Sequence, residues 1–127
     1  MKRYLLIDDE EIFNFIQSEV ISDHDSTDEV NTFSSAIEAL EFLRDKISKN
    51  ENLPDFIFLD VRMPEMNGFD FLEAFHKLDQ EAIKNIHIYM LSSSLDEKDF
   101  KRAMSFPSVK GFKSKPLSDD IIDEINQ

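Results

Sequence analysis

Phe56-Ile57-Phe58-Leu59-Asp60-Val61-Arg62-Met63-Pro64-Glu65-Met66-Asn67-Gly68 is the stretch that decides the fold. Four apolar residues run without interruption into a carboxylate, and a loop carrying Pro64 and Gly68 follows at once. A short apolar run bounded by turn residues suits a strand buried on both faces of a parallel sheet. Tyr4-Leu5-Leu6-Ile7 ends in the same way, in Asp8-Asp9-Glu10. Groups that do chemistry in such sheets collect beyond the carboxyl ends of the strands. Acidic side chains from the two runs therefore share one rim, where mutual repulsion calls for a cation among them.

Strand-like runs alternate with helix-period segments on both sides of this stretch. Residues 3–8 read as a first strand, and residues 10–21 follow as a helix with Ile12, Phe13, Ile16 and Val20 along one side. Residues 28–33 make a weaker strand whose alternating Val30 and Thr32 suit a sheet edge. Ser35 with Glu38 forms a capping-box pattern, opening a helix in which Ala36, Leu40, Leu43 and Ile47 recur at helical spacing. Polar residues 48–52 and Pro54 break the chain before a strand over 55–60. A helix from near Gly68 carries Phe71, Leu72, Phe75 and Leu78. A strand over 86–91, a helix near 95–105, a strand near 109–113 and a short helix after Pro116, bearing Ile121, Ile122 and Ile125, complete the pattern.

Repeated strand–helix units imply an α/β fold with helices on both faces of a parallel sheet. Right-handed crossovers restrict the topology. A doubly wound five-stranded sheet in the flavodoxin-like order 2-1-3-4-5 is the common solution. Gly68 and Gly111 are the only glycines, one where the loop turns into a helix and the other beside the last strand. Each is expected to supply freedom at φ.

At 127 residues the chain fits one domain, 1–127, with room for a real core. Its net charge of -13 argues against nucleic acid and anionic membrane as direct partners, since phosphate contacts need Lys and Arg. The same charge admits divalent cations and basic protein surfaces. The absence of Cys excludes a disulfide framework and a thiolate zinc site. The opening apolar run is too short for a signal peptide and nothing reaches membrane-span length, so the expected setting is cytoplasmic. His24, His76 and His87 share no metal-ligand spacing.

An acidic pair after the first strand, Asp60 after the third, Met63-Pro64-x-Met66-x-Gly68 in the next loop, Ser92 after the fourth and Lys115-Pro116 after the fifth form an ordered set. This set resembles the receiver domain of two-component response regulators, over essentially the whole chain. The resemblance implies that Asp60 is the phosphoacceptor, taking a phosphoryl group from a phosphohistidine on a sensor histidine kinase or a histidine phosphotransfer protein. It further implies Mg2+ bound directly by Asp9, through water by Asp8, and by Asp60 and the backbone carbonyl of Arg62, as suits a small cation that prefers oxygen ligands. Ser92 takes the position of the hydroxyl that senses the phosphoryl group, with Ser93 supplying the small residue that follows. These serines also suit a cap for the following helix, Ser94 among them. Lys115 takes the position of the lysine that pairs with the acidic pocket and then with the phosphoryl group. Phe112 stands where the family places its switch aromatic, although a plain core aromatic accounts for a Phe equally well. Arg62 and Ser94 occupy the two positions bordering the path of water to the acyl phosphate.

The expected activity is self-catalysed phosphoryl acceptance and loss, not that of a separate turnover enzyme. With about ten residues after Pro116, no output module is expected. The resemblance implies a stand-alone receiver in phosphorelay signal transduction, acting on an unknown downstream protein as a monomer or a phosphorylation-dependent dimer. Its output face would be built from residues 95–106, 109–113 and 118–126, and its kinase-docking surface from the first helix, with Phe15 as an exposed anchor. A phosphatase of the haloacid dehalogenase type also uses a strand-end Asp with magnesium, but places an acid two residues on, where Arg62 stands. A degenerate receiver acting only as an interaction module is set against the filled acidic, hydroxyl and lysine positions. No EF-hand spacing supports a calcium site.

Overall fold

The computed structural model describes residues 1–125, and among these, eleven elements follow one another. They are β1 (Arg3–Ile7), α1 (Glu11–His24), β2 (Glu29–Phe33), α2 (Ala36–Ser48), β3 (Phe56–Asp60), α3 (Gly68–Phe75), α4 (Gln80–Ile83), β4 (His87–Ser92), α5 (Glu97–Met104), β5 (Val109–Ser114) and α6 (Asp119–Ile125). All strand pairings are parallel, in the order β2-β1-β3-β4-β5. The expected fold class and strand order are thus observed, with β2 at an edge. Residue 126, included in the expected output face, lies outside the described residues.

Alternation along the buried strands divides the core in two, because successive side chains leave a strand on opposite faces. Leu5, Ile7, Ile57 and Leu59 pack on one face with Ala39 and Leu43 of α2, Leu72 of α3 and Ala103 of α5. Tyr4, Leu6, Phe56 and Phe58 pack on the other with Ile21 of α1 and Ile122 of α6. The register sets the carboxyl edge: Ile7 pairs with Leu59, Asp60 with Leu91, and Ser92 with Ser114. Four strands therefore deliver their last residues to one rim.

Several elements depart from the expected pattern. The side of α1 bearing Ile12, Phe13, Ile16 and Val20 is not the buried one: Ile12 and Ile16 are 74% and 52% exposed, and Asn14, Gln17 and Ile21 face the sheet instead. The Asn14 amide donates to the carbonyls of Asp8 at 2.8 Å and Phe33 at 3.2 Å, at the ends of β1 and β2. These bonds set the rotation of the helix. The segment from Gly68 is not one helix through Leu78; α3 stops at Phe75, and Asp79 caps the separate single turn α4 through the amides of Glu81 and Ala82. At Ser35 only half of a capping box forms, its hydroxyl accepting from the Glu38 amide at 3.3 Å. The complete box is at Asn67 and Asp70. Asp96, not a serine, caps α5.

Neither glycine adopts a positive φ, so the expected conformational role is not the one they fill. Gly68 is required by space: a Cβ there would lie 2.5 Å from the Asp60 carbonyl oxygen and 3.1 Å from the Val61 Cα. Its amide donates to the Val61 carbonyl at 2.9 Å, closing the loop tightly on β3. At Gly111 a Cβ would meet the Tyr89 ring at 2.8 Å. The left-handed positions are instead Asn50 and Glu65, the latter inside the loop after β3.

Candidate functional site

Asp8 follows the last residue of β1, Asp60 is the last of β3, Ser92 the last of β4, and Lys115 follows β5. Oxygens of Asp8, Asp9 and Asp60 lie within 4.8 Å of one another, forming the one such metal-ligating group among the described residues. Asp8 and Asp60 are buried, whereas Asp9 is exposed. The Lys115 ammonium reaches 2.7 Å from Asp8 Oδ2 and 3.3 Å from Asp60 Oδ1, with only 9% of its side chain exposed. The bond from Lys115 to Pro116 is cis. The rest of Asp8 is tied down as well: Oδ1 accepts from the Glu10 amide at 3.0 Å, and its backbone amide donates to the Phe33 carbonyl at 3.1 Å.

Three carboxylates against one ammonium leave this centre short of positive charge. Burial first, and then the charge of Asp8, push the Asp60 carboxyl up to about 6. Lys115 and the Arg62 backbone amide pull the other way without cancelling the rise. Burial works to lower the Lys115 ammonium, but its hydrogen bond to Asp8 and the charges of Asp60 and Asp8 raise it on balance. An all-oxygen donor set with excess negative charge suits a hard divalent cation. Asp8, Asp9 and Asp60 can hold a metal.

Ser92 is buried, and its hydroxyl donates to the Ser94 carbonyl at 2.6 Å while accepting from the Ser94 amide at 3.1 Å. It is thus held within its own loop. The Ser92 carbonyl accepts from the Lys115 amide at 2.9 Å, which joins the ends of β4 and β5. Arg62 turns its largely exposed side chain toward Asp99 of α5, with Nη2 3.3 Å from Oδ2. Phe112 is buried in the core, edge-on to Phe100 of α5 with centroids 6.0 Å apart. Above these two rings lies a surface cavity of about 310 Å³, lined also by Leu95, Asp96 and Glu97.

Two neighbours of the site escape the sequence analysis. Phe13 of α1, half-buried, has the Lys115 ammonium over its ring, 4.5 Å from the centroid. Asn14 fixes the Asp8 backbone through the bond described above. A polar Asn14–Gln17 pair at helical spacing was the available signal, since it marks an inward face that the apolar stripe conceals. The histidines take structural roles elsewhere: His24 contacts Asp123 at 2.7 Å, His76 bridges Leu72 and Ser108, and His87 stands edge-on to Phe56.

The model of the response regulator receiver domain matches residues 4–126. A protein-glutamate methylesterase/protein-glutamine glutaminase from Methylobacillus flagellatus is 31% identical over 117 residues, covering 90% of this chain and 29% of that protein. A protein of the same description from Burkholderia thailandensis is 34% identical over 83 residues, covering 65% of this chain and 21% of its own. The chain thus spans less than a third of these curated relatives. Among solved structures, a two-component response regulator from Cytophaga hutchinsonii superposes with a TM-score of 0.89 at 28% identity, covering 98% of this chain and 92% of that one. The chemotaxis protein CheY4 of Vibrio cholerae gives 0.81 at 25% identity, covering 100% and 97%. With the acidic rim, the parallel sheet and a match over nearly its whole length, the chain belongs to the response regulator receiver domain family.

Proposed function

We propose that the protein accepts a phosphoryl group on Asp60 and relays it as a change of surface. The observation that supports this best is the Asp60 carboxylate at the end of β3, with Lys115 at 3.3 Å and Asp8 and Asp9 beside it. With its pKa near 6, Asp60 is mostly ionised at neutral pH and can act as a nucleophile. One Asp60 oxygen attacks phosphorus, the bond from phosphorus to the donor imidazole nitrogen breaks, and that nitrogen keeps the electron pair. Asp8, Asp9, Asp60 and the carbonyl of Arg62 are the groups that would hold Mg2+, which when bound supplies positive charge to the phosphoryl oxygens. Lys115 stands ready to pair with the new phosphoryl group. Ser92 must leave the Ser94 carbonyl to donate to it, and that exchange, with Phe112 beneath α5, is the proposed switch.

The phosphodonor is a histidine kinase or phosphotransfer protein, and α1 is its docking element. Ile12, Phe15 and Ile16 are exposed together on this helix, one turn from Asp9. Between Tyr4 and Leu43 the chain carries eleven carboxylates and no Lys or Arg. The complementary surface is therefore an apolar stripe flanked by cations. The downstream partner is a protein rather than a nucleic acid, meeting Leu95 and Phe100, both exposed and lining the cavity above Phe112, and the exposed Met104 of the same helix as Phe100. A separate turnover activity is not proposed, because Arg62, at the position where a phosphatase of this general chemistry needs an acid, turns toward Asp99.

Incubation with acetyl phosphate and Mg2+, followed by intact-mass measurement, tests the proposal. One phosphoryl addition is expected on the wild type and none on Asp60→Asn. An unmodified wild type, or equal addition to both proteins, would remove Asp60 from the role.

A further inference from the structure

The Lys115 ammonium has three neighbours, and only two of them are anions. Asp8 Oδ2 lies at 2.7 Å and Asp60 Oδ1 at 3.3 Å; the Phe13 ring lies beneath the ammonium, 4.5 Å from nitrogen to centroid. A benzene face attracts a cation through its quadrupole without neutralising it. The ring also shields the ammonium on that side, which agrees with the 9% exposure of the Lys115 side chain. A hydrated lysine stem at a strand end would sample many rotamers, since its flexibility is large. Here the two carboxylates and the ring come from the loop after β1, from β3 and from α1, so three separate segments confine one nitrogen.

We propose that Phe13 is a positioning residue for phosphoryl acceptance, acting through Lys115. The inference rests on Asp60 being the phosphoacceptor. The ring holds the ammonium between Asp8 and Asp60 while leaving its full charge for the incoming phosphoryl group. A third carboxylate in place of the ring would pin the lysine and compete with that group. A purely aliphatic side chain would fill the same space and exert no such pull on the cation. The position also links the site to α1, because Phe13 sits between the exposed Ile12 and the Asn14 that holds the Asp8 carbonyl.

Phe13→Leu, Phe13→Met and Phe13→Tyr, each in the full chain, separate the ring from its bulk. Acceptance from acetyl phosphate with Mg2+ is expected to slow roughly fivefold in the Leu and Met variants and to recover in the Tyr variant. Ring-current displacement of the Lys115 Cε proton resonances is expected in the wild type and Phe13→Tyr, and its loss in the other two. Wild-type rates in Phe13→Leu and Phe13→Met, or a Tyr variant as slow as they are, would overturn the inference while leaving Asp60 in its role. A wild type that takes no phosphoryl group would overturn the proposed function, and this inference with it.

Discussion

Asp60 carries a penalty at neutral pH that its removal should reveal. Its carboxyl titrates near 6 in the fold, against about 4 in an unfolded chain. Between these values the native state holds the proton more tightly, so stability falls as pH rises through this window. The advantage of the protonated form is complete below about 4 and lost above about 6, a difference of ~3 kcal/mol. Without divalent cation, Asp60→Asn should therefore be more stable than the wild type at pH 7.5, by about 2 kcal/mol, and no more stable at pH 4. Paired urea titrations at the two values check this; a variant less stable at pH 7.5 would contradict the account. Asp8, Asp9, Asp60, Ser92 and Lys115 were legible because each ends or follows a strand, so that parallel pairing alone gathers them. Phe13 and Asn14 were not, because their contacts depend on the rotation of α1. That rotation is fixed by bonds to the Asp8 and Phe33 carbonyls, which no periodicity reports.

Secondary structure elements hold the site through close approaches as much as through hydrogen bonds. The start of α3 presses its first residue against the backbone of β3, which leaves no room for a methyl group at Gly68. Gly68→Ala should lower stability by about 2–3 kcal/mol and disturb the loop that carries the Arg62 carbonyl. Gly111→Ala should lose less, about 1 kcal/mol, because the obstacle is the ring of a half-buried Tyr89 that can turn aside. Thermal melts of the two variants give the comparison, and equal losses would refute the distinction. β1, β3 and β4 were legible from their apolar runs, since a buried parallel strand leaves little choice of residue type, whereas the edge strand β2 showed only as the alternation of Val30 and Thr32. The break between α3 and α4 was hidden because Leu78 continues the helical spacing past the actual end at Phe75. At the other side of the sheet, α6 is held by the buried Ile122 in the core with Tyr4 and Ile21. The contacts of His24 with Asp123 and Lys113 with Glu124 lie at the surface, where such pairs add little.

For the whole molecule, the order β2-β1-β3-β4-β5 converts a feature of the chain into a feature of shape. β2, α1, most of α2 and β1 after Arg3 lie within the stretch that lacks Lys and Arg, so the excess of acidic charge gathers on the β2 half. Among the described residues, no helix is long and apolar enough to cross a membrane. The acidic rim should make the melting temperature rise with millimolar Mg2+, because a ligand of the native state stabilises it by mass action. Asp9→Asn should lose most of that rise, and an unchanged rise in differential scanning fluorimetry would count against Asp9 as a ligand. Unequal charge on the two halves also gives the molecule a direction before it has any contact. At physiological salt its field reaches about 8 Å into solvent before screening takes hold, enough to exert a torque on an approaching cationic surface. With the docking proposed for α1, the first event of recognition would be a rotation that turns the patch formed by Ile12, Phe15 and Ile16 toward its partner before either is touched.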